Sequence, residues 1–284
     1  LMTAYVTFKA VKEGRFKLDE PVTISERAWR SEGSRSFVQV GTQIPLEVLL
    51  KGMIVQSGND ATIAVAEKVG GTEQAFAGIM NSYAKQLGMK NSNFENSSGL
   101  PGPTHRMSAR DIATLAHAMI AAFPEYYRWY ALREFEWNGI KQQNRNGLLG
   151  RDPSVDGIKT GHTESAGYCL ATSAERNGMR LISAVLGTKS MKAREDASAA
   201  LLNYGYTFYE TVALKKKGDV LLSPRVYKGE VEMIPAVVAR DVWATVPRGS
   251  AASLVTTTSL NEPLIAPLTA AQTIGQVSIT DGTN

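Results

Sequence analysis

The sequence is poor in the residues that build disulfides and metal sites. Of its 284 residues, one is cysteine and three are histidine. A single cysteine, Cys169, excludes an internal disulfide. It lies on a predicted strand, where we interpret it as a small buried side chain. The histidines (His105, His117 and His162) show no ligand spacing and have no cluster of Cys or carboxylates beside them, so we expect no metal and no cofactor.

Long apolar runs and strong net charge are also missing. No run approaches the roughly 18 apolar residues of a membrane-spanning helix. The formal net charge is +4, and the Lys and Arg residues are scattered, which argues against nucleic acid as a partner. With 43% hydrophobic and 20% charged residues, the composition is typical of a globular protein. The length suits one large or two ordinary domains.

An antiparallel meander is predicted in the middle of the chain. Strands are expected over residues 155–161, 168–174 and 179–186. Between the second and third strands, Asn177-Gly178 suits a type I′ hairpin turn, because both central positions of that turn need a positive φ.

The first strand of this meander carries the tripeptide Lys-Thr-Gly. Period-2 alternation sends Lys159 and Thr160 to opposite faces of an ideal strand, so a twist or the strand edge must bring both to one cleft. Gly161 has no Cβ and lets a substrate backbone lie against the strand. His162 is placed in the turn that follows. Lys-Thr-Gly is common, so its meaning depends on a second motif.

The second motif is Ser57-Gly58-Asn59, expected at a connection between two helices. With Lys-Thr-Gly downstream, it resembles the second and third motifs of the penicillin-recognising serine acyl-transfer enzymes. Longer phrases are similar to the low-molecular-mass D-alanyl-D-alanine carboxypeptidases, and the similarity covers nearly the whole chain. These phrases are residues 55–61, 144–149, 155–162, 181–187 and 192–195.

The resemblance implies an α+β fold in two domains. Residues 1–213 would form an antiparallel sheet with flanking helices, of the β-lactamase and transpeptidase type, and residues 214–284 a small all-β domain. Short strands between Gly and Pro turns favour the second domain independently. They are expected at 220–222, 231–234, 237–239, 242–246, 254–258 and 276–280. A helix over 194–210, with Leu201, Leu202 and Phe208 facing inward, is expected before them.

The implied activity is that of a serine-type D-Ala-D-Ala carboxypeptidase of peptidoglycan biosynthesis. Such an enzyme trims the terminal D-alanine from the stem peptide through an acyl-enzyme. The implied partners are therefore a peptidoglycan peptide ending in D-Ala-D-Ala and the β-lactam antibiotics that inhibit the enzyme.

The family's nucleophile and general base are the Ser and Lys of a Ser-x-x-Lys motif, which precedes the equivalent of Leu1 in relatives. We expect this motif to lie before Leu1 and the printed chain to be inactive without it. Ser82 and Lys85 have the same spacing, but they follow Ser57 in the chain. They also fall on an amphipathic helix, so we interpret them as solvated helix surface.

By the same resemblance, Ser57, Asn59 and Lys159 are the expected catalytic residues. Ser57 and Lys159 would pass a proton to the leaving amine, which requires the two side chains to lie within hydrogen-bond reach. Asn59 would hold the substrate backbone through its amide. The expected substrate-binding residues are Gly58, Thr160, Gly161, His162, Arg194 and Arg145.

The substrate carboxylate needs a hydroxyl and a cation. Thr160 would supply the hydroxyl, and Arg194 is the first candidate for a bidentate contact. Arg145 either shares that contact or orients the strand. The backbone N–H of His162 is expected to be one oxyanion donor, and a role for His162 in acid–base chemistry is the alternative.

Two other functions remain open. A class A-like β-lactamase shares Lys-Thr-Gly, but it usually has Ser-Asp-Asn as its second motif and a Glu-bearing loop. A non-catalytic protein that binds cell-wall peptide or penicillin is the other. The family usually ends in an amphipathic helix on the outer face of the cytoplasmic membrane. This chain stops at Asn284 without one, so we expect a soluble piece of a membrane-attached periplasmic protein.

Overall fold

The computed structural model describes residues 1–281, which fall into two compact units. The first is Leu1–Asn203 and the second begins at Tyr204. Helices surround one antiparallel sheet in the first unit, and short strands build most of the second. The predicted α+β class with a C-terminal all-β region is therefore confirmed. The domain boundary expected between residues 213 and 214 stays a prediction, and residues 282–284 of that expected domain lie outside the described part.

Nine α-helices and fifteen strands are found within residues 1–281. The helices are α1 (Met2–Lys12), α2 (Glu26–Trp29), α3 (Leu46–Val55), α4 (Asn59–Gly70), α5 (Glu73–Gln86), α6 (Ala109–Ala122), α7 (Pro124–Tyr127), α8 (Leu148–Arg151) and α9 (Met191–Phe208). The strands are β1 (Pro21–Thr23), β2 (Gln43–Pro45), β3 (Glu134–Trp137), β4 (Ile140–Gln143), β5 (Val155–Thr163), β6 (Gly167–Arg176), β7 (Met179–Thr188), β8 (Tyr209–Lys215), β9 (Val220–Leu222), β10 (Val226–Tyr227), β11 (Ala236–Val237), β12 (Val242–Pro247), β13 (Val255–Leu260), β14 (Leu264–Ile265) and β15 (Gly275–Thr280).

Helix α1 runs through the core of the first unit. Every residue from Met2 to Phe8 is buried, as expected for a helix that is apolar on nearly all sides. The Phe8 ring packs against Phe123, Tyr126 and Trp129, with ring centroids 4.8 to 5.8 Å apart. Burying one such ring contributes roughly 1.5–3 kcal/mol. This packing holds α1 against the segment around α7.

The predicted meander is the sheet β5-β6-β7. Asn177 and Gly178 have φ values of 51° and 76°, so the positive φ expected at both turn positions is confirmed. The placement of His162 in the turn was wrong. His162 lies in β5 opposite Tyr168, and their rings pack with centroids 4.0 Å apart. This cross-strand pair extends the strand beyond Gly161.

Helix α9 buries a different face from the one expected. Leu202 is buried, but Leu201 and Phe208 are 50% and 55% exposed, so the inward orientation predicted for those two was wrong. The buried face instead follows the i, i+4 series of Arg194, Ser198 and Leu202, whose side chains lie one above the other on a helix.

The second unit consists mainly of two-stranded pairs. They are β8 with β12, β9 with β11, β10 with β14, and β13 with β15. The strand expected at 231–234 is wrong, because only an isolated bridge between Arg225 and Met233 forms there. Val231 and Met233 are 62% and 52% exposed, so this segment lacks the half-buried surface on which strand residues pack.

Candidate active site

Ser57 lies at the corner between α3 and α4, with its backbone in the left-handed region at φ 63°. For an L residue other than glycine this conformation costs about 1–2 kcal/mol. The surrounding structure must therefore impose it. Strain of this kind is often found where a side chain must point into a functional site.

A close approach between Gly58 and Ser36 shapes this corner. A Cβ at position 58 would overlap the Ser36 Oγ atom and lie 2.7 Å from the Ser36 backbone nitrogen. Only glycine allows the segment containing Ser36 to lie this near. Gly58, predicted to bind substrate, thus has a packing requirement as well.

The buried carboxylate of Asp60 holds the same segment in place. Its Oδ1 atom accepts hydrogen bonds from the backbone N–H groups of Ser36 at 2.7 Å and Ala61 at 2.8 Å, and its Oδ2 atom accepts one from Val38 at 3.3 Å. Asp60 has no exposed surface, and it lies in the first turn of α4, where the helix dipole favours a negative charge. Sequence reasoning missed this residue, although an Asp directly after Ser57-Gly58-Asn59 was a usable signal.

Asn59 fastens the neighbouring part of the loop. Its backbone N–H donates to the Ser34 carbonyl at 2.7 Å, and its Nδ2 atom donates to the Glu32 carbonyl at 2.6 Å. One N–H of the Asn59 side-chain amide is therefore already bonded within the protein. The role predicted for Asn59 in holding the substrate backbone therefore falls to the remaining N–H and the Oδ1 atom of its side chain.

Lys159 reaches across to this corner from β5. Its Nζ atom donates to Ser57 Oγ at 2.8 Å and to the Thr160 carbonyl at 3.2 Å. The predicted proximity of Ser57 and Lys159 is therefore confirmed. Burial lowers the pKa of Lys159 most, and together with the positive charges of Arg145 and Arg194 it brings that pKa to about 7. An amine with a pKa near neutrality can both take up and release a proton, as proton transfer requires.

We use the term groove for the region between the Ser57 corner and β5, which the Lys159–Ser57 hydrogen bond spans. The rest of the Lys-Thr-Gly strand lies on the β5 side of this region. Thr160 is buried, whereas Gly161 and His162 are exposed. Within residues 1–281, β5 pairs on one side only, with β6. Its other edge has no strand partner there, and an extended peptide could bind along it as an added strand.

The two candidate arginines differ in what they contact. Arg194 is 3% exposed, and its guanidinium donates to the carbonyls of Gly161, Cys169 and Arg145 at 3.3 to 3.4 Å. It therefore ties β5, β6 and the segment before α8 together. Arg145 is exposed, and we find no hydrogen bond or ion pair from its side chain within residues 1–281. Arg194 as the first candidate for the carboxylate contact stays a prediction, but the guanidinium that is open to a ligand in this structure is that of Arg145.

A polar network that the sequence did not reveal supports the start of β5. The Tyr127 hydroxyl donates to Asp156 Oδ1 at 3.1 Å, and Arg180 donates to Asp156 Oδ2 at 2.7 Å. The Asn146 side chain donates to the Gly157 carbonyl at 3.1 Å. Burial raises the pKa of Tyr127, so its hydroxyl remains a donor at neutral pH. These contacts hold the strand that positions Lys159.

The second Ser-x-x-Lys spacing is not part of this site. Ser82 and Lys85 lie exposed on α5, which confirms their interpretation as solvated helix surface. No group of three or more His, Cys, Asp or Glu side chains in the described part of the chain is arranged to hold a metal ion. Within residues 1–281, none of the helices combines the length and apolar content needed to cross a bilayer.

Comparison with known proteins gives matches over both units. The family model of D-alanyl-D-alanine carboxypeptidases matches residues 1–190, and that of the C-terminal domain of penicillin-binding protein 5 matches residues 209–284. The chain is 42% identical to the D-alanyl-D-alanine carboxypeptidase DacA of Escherichia coli K12, over 98% of this chain and 71% of that protein.

Solved structures agree. Penicillin-binding protein 5 of Haemophilus influenzae aligns with a TM-score of 0.88 and 40% identity, over 99% of this chain and 84% of that chain. Penicillin-binding protein D2 of Listeria monocytogenes, solved with bound ampicillin, aligns with a TM-score of 0.66 and 28% identity, over 72% of this chain and 84% of that chain.

Proposed function

The chain belongs to the D-alanyl-D-alanine carboxypeptidase family, and we propose that its groove binds and trims peptidoglycan peptides ending in D-Ala-D-Ala. The observation that carries this proposal is the hydrogen bond between Lys159 Nζ and Ser57 Oγ beside the free edge of β5. It joins an amine whose pKa is about 7 to a hydroxyl on the opposite wall. Such a pair can relay a proton to a leaving amine.

In this proposal the substrate lies along the edge of β5 as an extended peptide. Its terminal carboxylate binds the Thr160 hydroxyl and the exposed guanidinium of Arg145, which offers a planar fork of donors. Arg194 acts through its contacts with the Gly161 and Arg145 carbonyls and positions both sides of the carboxylate site.

The nucleophile is the Ser of the Ser-x-x-Lys motif expected before Leu1. Its hydroxyl proton passes to the Lys of that motif as the oxygen attacks the carbonyl between the two D-alanines. The pair Ser57 and Lys159 then delivers a proton to the departing D-alanine nitrogen. The His162 backbone N–H supplies one oxyanion donor, a contact typically equivalent to about 3 kcal/mol of barrier. Water then hydrolyses the acyl-enzyme and restores the Ser.

β-Lactams enter the same scheme as substrate mimics that acylate the Ser. The ampicillin-bound relative from Listeria monocytogenes supports this part of the proposal. We place the protein in the periplasm because its substrate is cell-wall peptide, and the family resemblance supports its attachment to the outer face of the cytoplasmic membrane. The motif Ser57-Gly58-Asn59 and the match to a penicillin-binding protein 5 C-terminal domain favour this function over a class A-like β-lactamase.

Labelling with a fluorescent penicillin tests the proposal. We define the extended chain as residues 1–284 preceded by a Ser-x-x-Lys segment of this family. The extended chain should label covalently and release D-alanine from a D-Ala-D-Ala peptide, whereas residues 1–284 alone should not label. Labelling of residues 1–284 alone would mean a different nucleophile. An extended chain that folds but neither labels nor releases D-alanine would overturn the proposed function.

A further inference from the structure

The loop over residues 31–38 is fastened onto the corner that carries Ser57. Asn59 bonds the Ser34 and Glu32 carbonyls, and Asp60 accepts the Ser36 N–H. On its other side, the Ser36 carbonyl accepts a hydrogen bond from the Gln142 side chain at 3.3 Å. The loop is therefore held in one position beside the Ser57 corner.

Asp60 holds this loop so that the side chain of one of its residues points outward. Its two carboxylate oxygens accept the N–H groups of Ser36 and Val38, which flank Phe37. Ser36 and Val38 are 4% and 2% exposed, whereas Phe37 is 44% exposed. Holding both neighbours against the core turns the ring between them outward.

Phe37 carries two unfavourable features at once. Its φ is 61°, in the left-handed region that an aromatic L residue rarely adopts, and it leaves a large apolar ring partly in water. Residues held in this way by their surroundings are concentrated at ligand contacts. The Asp60 carboxylate supplies the constraint that maintains both features.

The position of Phe37 indicates what its ring can contact. Ser36 packs against Gly58, so Phe37 directly follows a residue that contacts the Ser57 corner, and Lys159 of β5 reaches the same corner. A peptide bound along the β5 edge directs alternate side chains to alternate sides, and pockets for those side chains determine specificity. A partly exposed apolar ring beside the Ser57 corner suits an apolar side chain.

We infer that Phe37 is a specificity-determining residue that contacts an apolar side chain on the acyl side of the bond being cleaved. The same contact would accept the aliphatic part of a stem peptide or the aryl side chain of a penicillin. This inference rests on the proposed function, because it needs an acyl donor bound in the groove.

Two penicillins that differ only in their side chain test it. Benzylpenicillin carries a phenylacetyl group, and 6-aminopenicillanic acid carries none. In the extended chain, Phe37→Gly should lower the second-order acylation constant for benzylpenicillin about tenfold, in the range that one apolar group contributes to discrimination. Acylation by 6-aminopenicillanic acid should stay within about twofold, since that ligand has no group for Phe37 to contact.

Two substitutions distinguish the effect of the Phe37 ring from the effect of its backbone conformation. Gly accepts a positive φ, so Phe37→Gly should keep its Tm, and Phe37→Leu should retain most of the preference for benzylpenicillin. Equal changes with both penicillins, or no change with either, would overturn the role of Phe37 and leave the proposed function standing. Failure of the unsubstituted extended chain to react with either penicillin would instead overturn the proposed function.

Discussion

Lys159 Nζ donates a hydrogen bond to Ser57 Oγ at 2.8 Å, although 102 positions separate the two residues in the chain. One side chain comes from a strand and the other from the corner between two helices. Their contact joins these two elements and places a titrating amine against a hydroxyl.

Lys159→Met should abolish proton relay while preserving the fold. The variant keeps a long unbranched side chain but has no group to exchange a proton. Acylation of the extended chain by a penicillin should fall by about 10²–10⁴-fold, the usual contribution of a positioned acid or base. Stopped-flow or gel-based acylation kinetics measure this. Near-normal acylation would reduce Lys159 to a structural role.

The stability difference between Lys159→Met and the unsubstituted chain should depend on pH. The folded-state pKa of Lys159 is about 7, below its ordinary value of 10.5, so between these two pH values the unfolded chain binds the extra proton. Raising the pH therefore favours folding of the unsubstituted chain, by up to about 1.4 kcal/mol per pH unit. That contribution is complete above pH 10.5 and is lost as the pH falls through 7.

Urea unfolding at pH 7 and pH 9.5 measures the effect. The Met variant should be the more stable at pH 7, and its advantage should shrink by pH 9.5. A difference in unfolding free energy that stays constant between these pH values would contradict a lowered pKa for Lys159.

Arg194 and Arg145 should respond differently to truncation. Arg194→Ala leaves three carbonyls without their donor, so it should lower the unfolding free energy by about 3 kcal/mol, at about 1 kcal/mol for each bond. Arg145→Ala removes an exposed side chain and should change stability by less than about 0.5 kcal/mol.

Substrate kinetics complete this comparison. Because we place the substrate carboxylate at Arg145, Arg145→Ala in the extended chain should raise KM for a D-Ala-D-Ala peptide. An analogue with an amidated C-terminus should react alike with the extended chain and its Arg145→Ala variant. Two outcomes would contradict this assignment and favour Arg194 as the carboxylate contact. One is an Arg194→Ala variant as stable as the unsubstituted chain, and the other is an Arg145→Ala variant with unchanged KM.

Gly58→Ala should damage both stability and activity. The new Cβ would collide with Ser36, including its backbone nitrogen at 2.7 Å, and overpacking of this kind typically costs about 1–3 kcal/mol. Gly78→Ala is the matched control, because no atom lies within 4 Å of a Cβ at that helical position. The control should stabilise the protein by up to about 1 kcal/mol. Thermal unfolding measures the stability of both variants. A Gly58→Ala variant as stable as the unsubstituted chain would show that the segment containing Ser36 moves away at little cost.

Asp60→Asn should loosen the loop that carries Phe37. The change replaces one carboxylate oxygen with an NH2 group and leaves a buried backbone N–H unpaired, at a cost of about 2 kcal/mol. Amide hydrogen exchange should accelerate at Ser36 and Val38, and acylation should slow. Asp19→Asn, at an exposed position, should alter neither. Unchanged exchange in Asp60→Asn would mean that other contacts hold the loop.

Local features of the site were predictable because they depend on residues close together in the chain. The Asn177-Gly178 turn follows from the φ that each residue tolerates, and a strand around Lys159 was predicted before a turn of small residues. Phrases around Ser57 and Lys159 identified the family and, through it, the α+β class. Burial of Leu202 was also predictable, but its neighbour Leu201 was misassigned because helical periodicity alone does not say which face meets the core.

The sequence by itself therefore determined the family, the fold class and the residues to examine. Only the tertiary structure decided that Asp60 holds the loop around Phe37 and that His162 continues β5. It also decided that the guanidinium of Arg194, and not that of Arg145, is bonded to backbone carbonyls. The physical reason is that hydrogen bonds across 24 or 33 positions leave no periodic trace in a sequence. They depend on how close packing of the core brings distant segments together.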